Sequence, residues 1–240
     1  MRTPGLEKEV TVIKLSGSLF SQKALRTLPQ FLSMFAKLRA QGCRLVLVAG
    51  GGDIARSYIS AGRKLGADEG ALDQIGIAVS RIHARLIVAG LGVAAFPTIP
   101  TNLEELSQAM ESNKIVILGG LHPGHSTNAV AALAAERTGA SLLINSTDVD
   151  GVYTGDPHTD RSARRLKAVS ISKLSEMLSD LWMGAGTYDL MDIVALKIIE
   201  RSKIPTRIVK CSVEILGKVI RGDDVGTFIN LRGRRTSSIS

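Results

Sequence analysis

The residues best suited to chemistry fall in four short loops. Lys14, Gly17 and Ser18 close the apolar run Val10–Leu15. Gly17 permits close approach of the backbone to a phosphate, Ser18 offers a hydroxyl and Lys14 a positive charge. A lysine flanked by Val12, Ile13 and Leu15 is costly to bury unless its charge is used; a strand-end lysine reaching solvent is the other reading, and both stay open. The second loop, Gly50-Gly51-Gly52-Asp53, follows Arg44–Ala49. Its glycines leave backbone N–H groups free at a helix N-terminus, where anions bind, and Asp53 fits the N-cap. Arg56, one turn further on, can clamp the same phosphate. No Gly-Lys-Ser/Thr ending follows, so this is not a Walker loop, and a glycine run after a strand also makes plain tight turns.

The third loop runs from Gly119 to Thr127 and carries His122, Pro123, Gly124, His125, Ser126 and Thr127 ahead of a helical pattern. Hydroxyls and free N–H groups there make a second anion site. Pro and Gly between the histidines prevent helical presentation, and no third ligand is near, so structural zinc is not expected. The fourth loop, Ser146 to Tyr153, offers the Asp148 and Asp150 carboxylates to Mg²⁺ or ribose hydroxyls and Tyr153 to a flat base. An Asp-Gly turn and a core tyrosine account for Asp150-Gly151 and Tyr153 equally well. Neither a Ser/His/Asp arrangement nor a Gly-x-Ser-x-Gly elbow is present, and no general base stands out. Phosphoryl transfer to an acceptor that is itself a phosphate explains this. With a second pKa of about 6, such an acceptor is already mostly ionised at neutral pH, and catalysis then needs positioning and charge neutralisation.

Loops placed side by side need strands to carry them. Short apolar runs recur at Val10–Leu15, Arg44–Ala49, Val93–Pro97, Ile115–Leu118, Ser141–Asn145, Arg207–Lys210 and Gly226–Ile229. Helical periodicity marks Lys23–Ala40, Ile54–Leu65, Ala71–Leu91, Leu103–Glu111, Asn128–Thr138 and Leu190–Ser202. This alternation predicts an α/β fold, a three-layer αβα sandwich with a central, mostly parallel sheet. No repeat or linker divides the chain, so residues 1–240 read as a single domain with polar, flexible ends at 1–9 and 231–240. Val152–Val169 breaks the alternation and reads either as a hairpin lid or as a solvated loop.

The 240 residues are 45% hydrophobic, 22% charged and only 4% aromatic, so the core must be aliphatic. The net charge of +8 suits anionic substrates. Its basic clusters, Arg161 to Lys167 and Arg232 to Arg235, lack interleaved aromatics, so no nucleic-acid partner is expected. Cys43 and Cys211 read as reduced thiols of a cytoplasmic protein. Met1–Glu9 has no signal-peptide pattern, and no apolar run reads as long enough to span a membrane. Ala71–Leu91 is apolar around more of its circumference than one buried face requires, which predicts an interface between copies of the chain.

The segments KLSGS, AGGGDIAR, LDQIGI, LHPGHST and STDVDGVYTGDP occur in the order and spacing of the amino acid kinase superfamily. The His-Pro-Gly-His loop is most similar to its archaeal-type UMP kinase branch, and the resemblance covers about Val10 to Ile229, including LMDIVALKIIERSKI and the closing Gly226-Thr227. It implies transfer of the γ-phosphoryl group of ATP to UMP in pyrimidine nucleotide biosynthesis, by a homohexamer built from dimers, with Mg²⁺ bound through the ATP phosphates rather than directly by the protein. Position by position, it implies Gly17 and Ser18 on the ATP phosphates and Lys14 on the transferring group. Gly51 then faces UMP, while Gly52 and Arg56 lie at the junction of the two substrates. Asp73 matches the family's acidic residue on the UMP nucleoside, and Leu121 through Thr127 wrap UMP and its phosphate. Thr147, Asp148, Tyr153 and Asp156 hold the ATP nucleoside, and Asp192 helps orient catalytic lysines, with Lys197 able to share the role of Lys14. Relatives usually carry Thr where this chain has Leu121. Other acceptors on the same fold, such as acetylglutamate, carbamate or isopentenyl phosphate, and a non-catalytic oxyanion-storage protein are the alternatives.

Overall fold

The computed structural model describes residues 9–155, 157, 160–181 and 190–231. Asp156 and all but residues 9 and 231 of the predicted flexible ends, 1–9 and 231–240, lie outside the described residues.

Seven strands form one sheet, in the order β3-β2-β1-β4-β6-β7-β5. They are β1 (Val10–Leu15), β2 (Arg44–Ala49), β3 (Val116–Leu118), β4 (Leu142–Thr147), β5 (Ala168–Ser170), β6 (Thr206–Lys210) and β7 (Thr227–Asn230). The first five strands in that order are parallel, β7 runs antiparallel to β6, and β5 runs parallel to β7. Parallel strands need both faces covered, and their aliphatic side chains alternate between two cores. Val12, Val46, Val48 and Val116 pack on one face beneath α4 (Leu103–Met110), α5 (Thr127–Thr138), α6 (Ile171–Leu181) and α7 (Ile193–Ser202). Ile13, Leu15, Leu45, Leu47 and Ile117 pack on the other, with α1 (Leu28–Ala40), α3 (Glu69–Leu91) and α8 (Val213–Ile220). Helix α2 (Gly52–Lys64) lies against α3. The expected three-layer α/β architecture is therefore present.

Several boundaries differ from expectation. Val93–Pro97 is not a strand. Gly92–Ala94 forms a 3₁₀ turn, and pairing with the sheet edge is limited to an Ala95–Ile115 bridge, after which the chain bends away at Pro97 and Thr98. Helix α1 starts at Leu28, with Pro29 in its first turn, and Gly17–Phe20 and Leu25–Thr27 form short 3₁₀ turns before it. Helix α7 starts at Ile193 because the Asp192 carboxylate caps Ala195 N–H at 2.9 Å. The N-cap of α2 is Gly51, so Asp53 is not the cap; it sits in the first turn and pairs with Arg56 at 2.7 Å. Strand β5 and helices α6 and α8 were not anticipated.

A further correction concerns α3. The 26-residue segment Glu69–Ala94 is long and apolar enough, by length and composition, to cross a membrane. In this fold it packs against α1, α2, β2 and β3, while Ile82, Leu86 and Val93 remain exposed.

Candidate active cleft

The carboxyl ends of β1, β2, β3 and β4 open into one cleft of about 580 Å³. Its floor is set by two glycine loops that cross. Gly50 N–H donates to the Leu15 carbonyl at 3.0 Å, which brings the loop after β2 onto the loop after β1. A Cβ on Gly17 would lie 2.1 Å from the Gly52 nitrogen. Gly52 has φ of +59°, and a Cβ there would lie 2.5 Å from the Gly17 carbonyl. Only glycine at both positions permits this backbone-to-backbone contact. Lys14 lines the cleft although it is 8% exposed, so of the two sequence readings the structure favours a buried charge over a solvent-reaching one. Its carbonyl accepts the Ser146 hydroxyl at 2.7 Å. Ser16 and Ser18 share a hydroxyl hydrogen bond of 2.8 Å at the same edge.

The opposite wall comes from the loop after β3. Gly120, His125, Ser126 and Thr127 line the cleft. Ser126 caps α5, accepting from Asn128 N–H at 3.0 Å and Ala129 N–H at 3.1 Å, and its hydroxyl donates to the Asp192 carboxylate. Asp192 thus joins the start of α7 to the start of α5 and is not itself among the cleft-lining residues. Asp73, on α3, reaches across and accepts from Gly124 N–H at 2.6 Å, which fixes the His-Pro-Gly-His turn over the cleft. Gly124 has φ of +79°, which suits that turn to glycine. Leu121, His122, Pro123 and Gly124 do not line the cleft. The Leu121 side chain, 5% exposed, packs into the core beneath α5, while its carbonyl accepts from Arg81 at 3.2 Å.

On the far side Thr147 and Asp148 line the cleft. Thr147 is buried and closes a tight turn through its 3.1 Å bonds with Val149. Tyr153 stands outside the lining; its hydroxyl donates to Asp150 at 2.6 Å, a bond that raises the phenol above its ordinary value. The Val152–Val169 region has hairpin pairing, with a Tyr153–Arg165 bridge and Leu166 N–H donating to the Val152 carbonyl at 2.8 Å. Buried Thr227 on β7 anchors both arms, accepting from Val152 N–H at 2.9 Å and donating to the Leu166 carbonyl.

The cleft therefore gathers Lys14, Gly17, Ser18, Gly51, Gly52 and Arg56 with Asp73, His125, Ser126, Thr127, Thr147 and Asp148. Arg56 is exposed and pairs with Asp53, an exposed pair that adds little stability and leaves the guanidinium able to exchange partners. Sequence reasoning missed Ser16 and Asn128, and it missed Gly76, Ile77 and Ser80 on α3 as lining residues. The LDQIGI segment, residues 72–77, was the available signal for Gly76 and Ile77. Asn128 adjoins Thr127, and its buried Oδ1 has no hydrogen-bond partner among the described residues.

Two oppositely placed groups of anion-binding loops, two cations and two carboxylates can hold two phosphorylated ligands end to end. The family model for the amino acid kinase family matches residues 9–210. The chain belongs to that family. It is 40% identical over 225 residues to a uridylate kinase of Hyperthermus butylicus, covering 93% of this chain and 99% of the relative. A uridylate kinase of Sulfurisphaera tokodaii is likewise 40% identical over 222 residues, covering 91% and 97%. Among solved structures, the uridylate kinase of Archaeoglobus fulgidus superposes with a TM-score of 0.83 at 37% identity, covering 92% of this chain and 100% of that one. A UMP kinase from Bacillus anthracis superposes with a TM-score of 0.78 at 19% identity, which speaks to the fold alone.

Proposed function

We propose that this family member is a UMP kinase, transferring the γ-phosphoryl group of ATP to UMP to give ADP and UDP. The observation that carries the reading is the crossing of the Gly17 and Gly52 loops opposite the N-terminus of α5, in one cleft, together with near-full-length similarity to uridylate kinases.

A phosphate oxygen of UMP forms the new bond to the γ-phosphorus while the bond to the β,γ-bridging oxygen breaks, its electron pair leaving with ADP. The acceptor is mostly dianionic at neutral pH, so no side chain need remove a proton. Lys14, buried at the cleft floor, offsets charge on the transferring group, and Gly17, Ser18 and Gly52 hold the ATP phosphates against it. Arg56 is placed to exchange Asp53 for phosphate at the junction. Gly51, Asp73, His125, Ser126 and Thr127, with the rest of the Leu121–Thr127 loop, take UMP; Asp73 and Leu121 act here through the backbone they hold or present. Thr147, Asp148, Tyr153 and Asp156 take the ATP nucleoside, and Asp192 positions α5 through Ser126.

Among the described residues no three His, Cys, Asp or Glu side chains group together as a metal site. The donor set fits a Mg²⁺ ion carried by the ATP phosphates, since the cleft lining holds only the carboxylates Asp73 and Asp148 among the described residues. When bound, that ion neutralises phosphate charge during transfer. The exposed Ile82 and Leu86 on α3, with Val93 in the turn after it, support assembly into dimers and a hexamer, which a solution mass would test; a monomer at micromolar concentration would contradict it. The free thiols Cys43 and Cys211 suit a reducing cytoplasm.

Incubating the protein with ATP, Mg²⁺ and a panel containing UMP, CMP, dCMP, acetylglutamate and isopentenyl phosphate tests the assignment. UDP formation that exceeds every other product is expected, and its absence above background would sink the reading.

A further inference from the structure

Helix α3 does more than cover the sheet. Three of its side chains hold main-chain groups of two cleft loops. Gly119 and Gly120 bring the loop after β3 so close to α3 that a Cβ on Gly119 would lie 2.7 Å from the Arg81 nitrogen, and one on Gly120 would lie 2.9 Å from Ile77 Cγ1. Across that contact, Gly120 N–H donates to the Ser80 hydroxyl at 2.8 Å, and Ser80 passes its own proton to the Ile77 carbonyl at 2.8 Å. The Arg81 guanidinium then spans two successive carbonyls, with Nε donating to Gly120 at 2.9 Å and Nη2 to Leu121 at 3.2 Å. Two residues after Arg81 on the same helix, His83 donates from Nδ1 to the Gly50 carbonyl at 2.8 Å; a carbonyl can only accept, which fixes the tautomer. The His83 ring is stacked on Phe20 at 4.2 Å, just after the Gly17–Ser18 turn.

In a planar trans peptide, the carbonyl of one residue and the N–H of the next point in opposite directions. Holding the Gly50, Gly120 and Leu121 carbonyls toward α3 therefore sets the N–H vectors of Gly51, Leu121 and His122 away from it. We propose that Arg81, with Ser80 and His83, is a positioning residue for the acceptor half of the cleft: it acts through the direction of backbone donors and touches neither substrate. The assignment of the acceptor half rests on the UMP kinase reading above. A fork of guanidinium donors suits the task because two carbonyls one residue apart can be held by one rigid plane, which lysine cannot do.

Arg81→Met keeps the aliphatic stem and removes the donors, whereas Arg81→Lys keeps one. For Arg81→Met the KM for UMP is expected to rise about tenfold, as loss of charged hydrogen bonds implies. The KM for ATP should stay within about twofold, and Arg81→Lys should recover part of the loss. Amide exchange of a segment covering residues 119–125 should quicken in Arg81→Met, while a segment covering residues 12–20 stays as in the wild type. Equal rises in both KM values, an unchanged UMP KM, or exchange that quickens equally in both segments would overturn the proposal. Should Arg81→Met fail to fold, Ser80→Ala goes through the same measurements, and the same selective or unselective pattern decides. A wild type that makes no UDP would indict the acceptor assignment, and the exchange comparison would then judge the positioning role alone.

Discussion

The two flanks of the cleft are built on opposite plans. On one, the loops after β1 and β2 meet backbone to backbone, with Gly17 and Gly52 in contact and His83 and Phe20 packed behind them. On the other, the loop after β4 is held by side chains: Thr227 on both arms of the hairpin, Arg165 on the Gly226 carbonyl at 2.7 Å, and Tyr153 on Asp150. The first arrangement has no slack, since any added carbon meets main chain. The second can adjust, since its contacts end in rotatable groups, several of them exposed. On the UMP kinase reading proposed above, this plan would keep the reacting phosphates in fixed places and let the nucleoside side accommodate its ligand.

The largest expected effect tests the rigid flank. Gly52→Ala adds a methyl that meets the Gly17 carbonyl at 2.5 Å and puts an L-residue at positive φ. Destabilisation of about 3 kcal/mol or more is expected, the upper end for overpacking, with activity lost in the folded fraction; urea unfolding and turnover measure both. A mild effect would mean that the loops can part, and the contrast between flanks would fail.

Next comes the anchor of the adjustable flank. Thr227→Val keeps shape but strands the buried Val152 N–H and the Leu166 carbonyl. A loss of about 1–3 kcal/mol is expected. The KM for ATP should rise more than that for UMP, in steady-state assays with each substrate varied in turn.

The strands that carry these loops were legible because buried parallel strands are continuous aliphatic runs, and β1 and β2 match their predicted limits. Lys14 and the two glycine loops were visible as candidates at the ends of such strands, but a strand-end lysine and plain tight turns explained them equally well until the fold brought them into one cleft. What escaped was held by tertiary contact. Strand β5 is three residues long and exists through pairing with β7. Helix α8 has only eight residues, one of them Gly217, so its local signals, the Ser212 N-cap and the Glu214–Lys218 pair one turn apart, were too brief to stand out. Val93–Pro97 has strand-like composition, but a 3₁₀ turn at Gly92–Ala94 and the bend at Pro97 and Thr98 leave it only one bridge at the sheet edge. In the site, Leu121 belongs to a motif that the resemblance implies wraps UMP; its side chain turns into the core and its carbonyl accepts from Arg81, an arrangement that its position in the motif did not reveal. Arg81, His83 and Thr227 act on backbone groups far away in sequence, and no local pattern marks such partners.

A smaller effect separates the flanks by pH. Burial lowers His83 below its ordinary value of 6.5, with the bond to the Gly50 carbonyl acting the other way. The unfolded chain takes up a proton as pH falls through about 6.5, while the folded chain resists until lower pH. Stability tied to neutral His83 is therefore complete above about 6.5 and declines as pH drops through that value toward the folded one. The thermal midpoint of the wild type should fall between about pH 7.5 and pH 5.5, and that of His83→Asn should fall less. Equal slopes would remove His83 as the titrating support of the glycine crossing.

The smallest expected effect lies in the hairpin. Tyr153 donates its hydroxyl to Asp150, and Asp150 lies 3.5 Å from Arg165 Nε with both side chains substantially exposed. In Tyr153→Phe the Asp150 carboxylate keeps Arg165 and gains water, so no buried group is stranded, and the stability change should stay within about 0.5 kcal/mol. The ring remains, so the KM for ATP should move less than about twofold if the phenyl face is what the base meets. Tyr153→Ala, which removes that face, should raise the same KM by more than Tyr153→Phe does, by an amount typical of a lost stacking partner, about fivefold or greater. Equal and large losses in both variants would mean that the hydroxyl holds the hairpin as firmly as Gly17 and Gly52 hold each other. The adjustable flank would then be as rigid as its opposite, and accommodation of the nucleoside would have to come from movement of α3 instead.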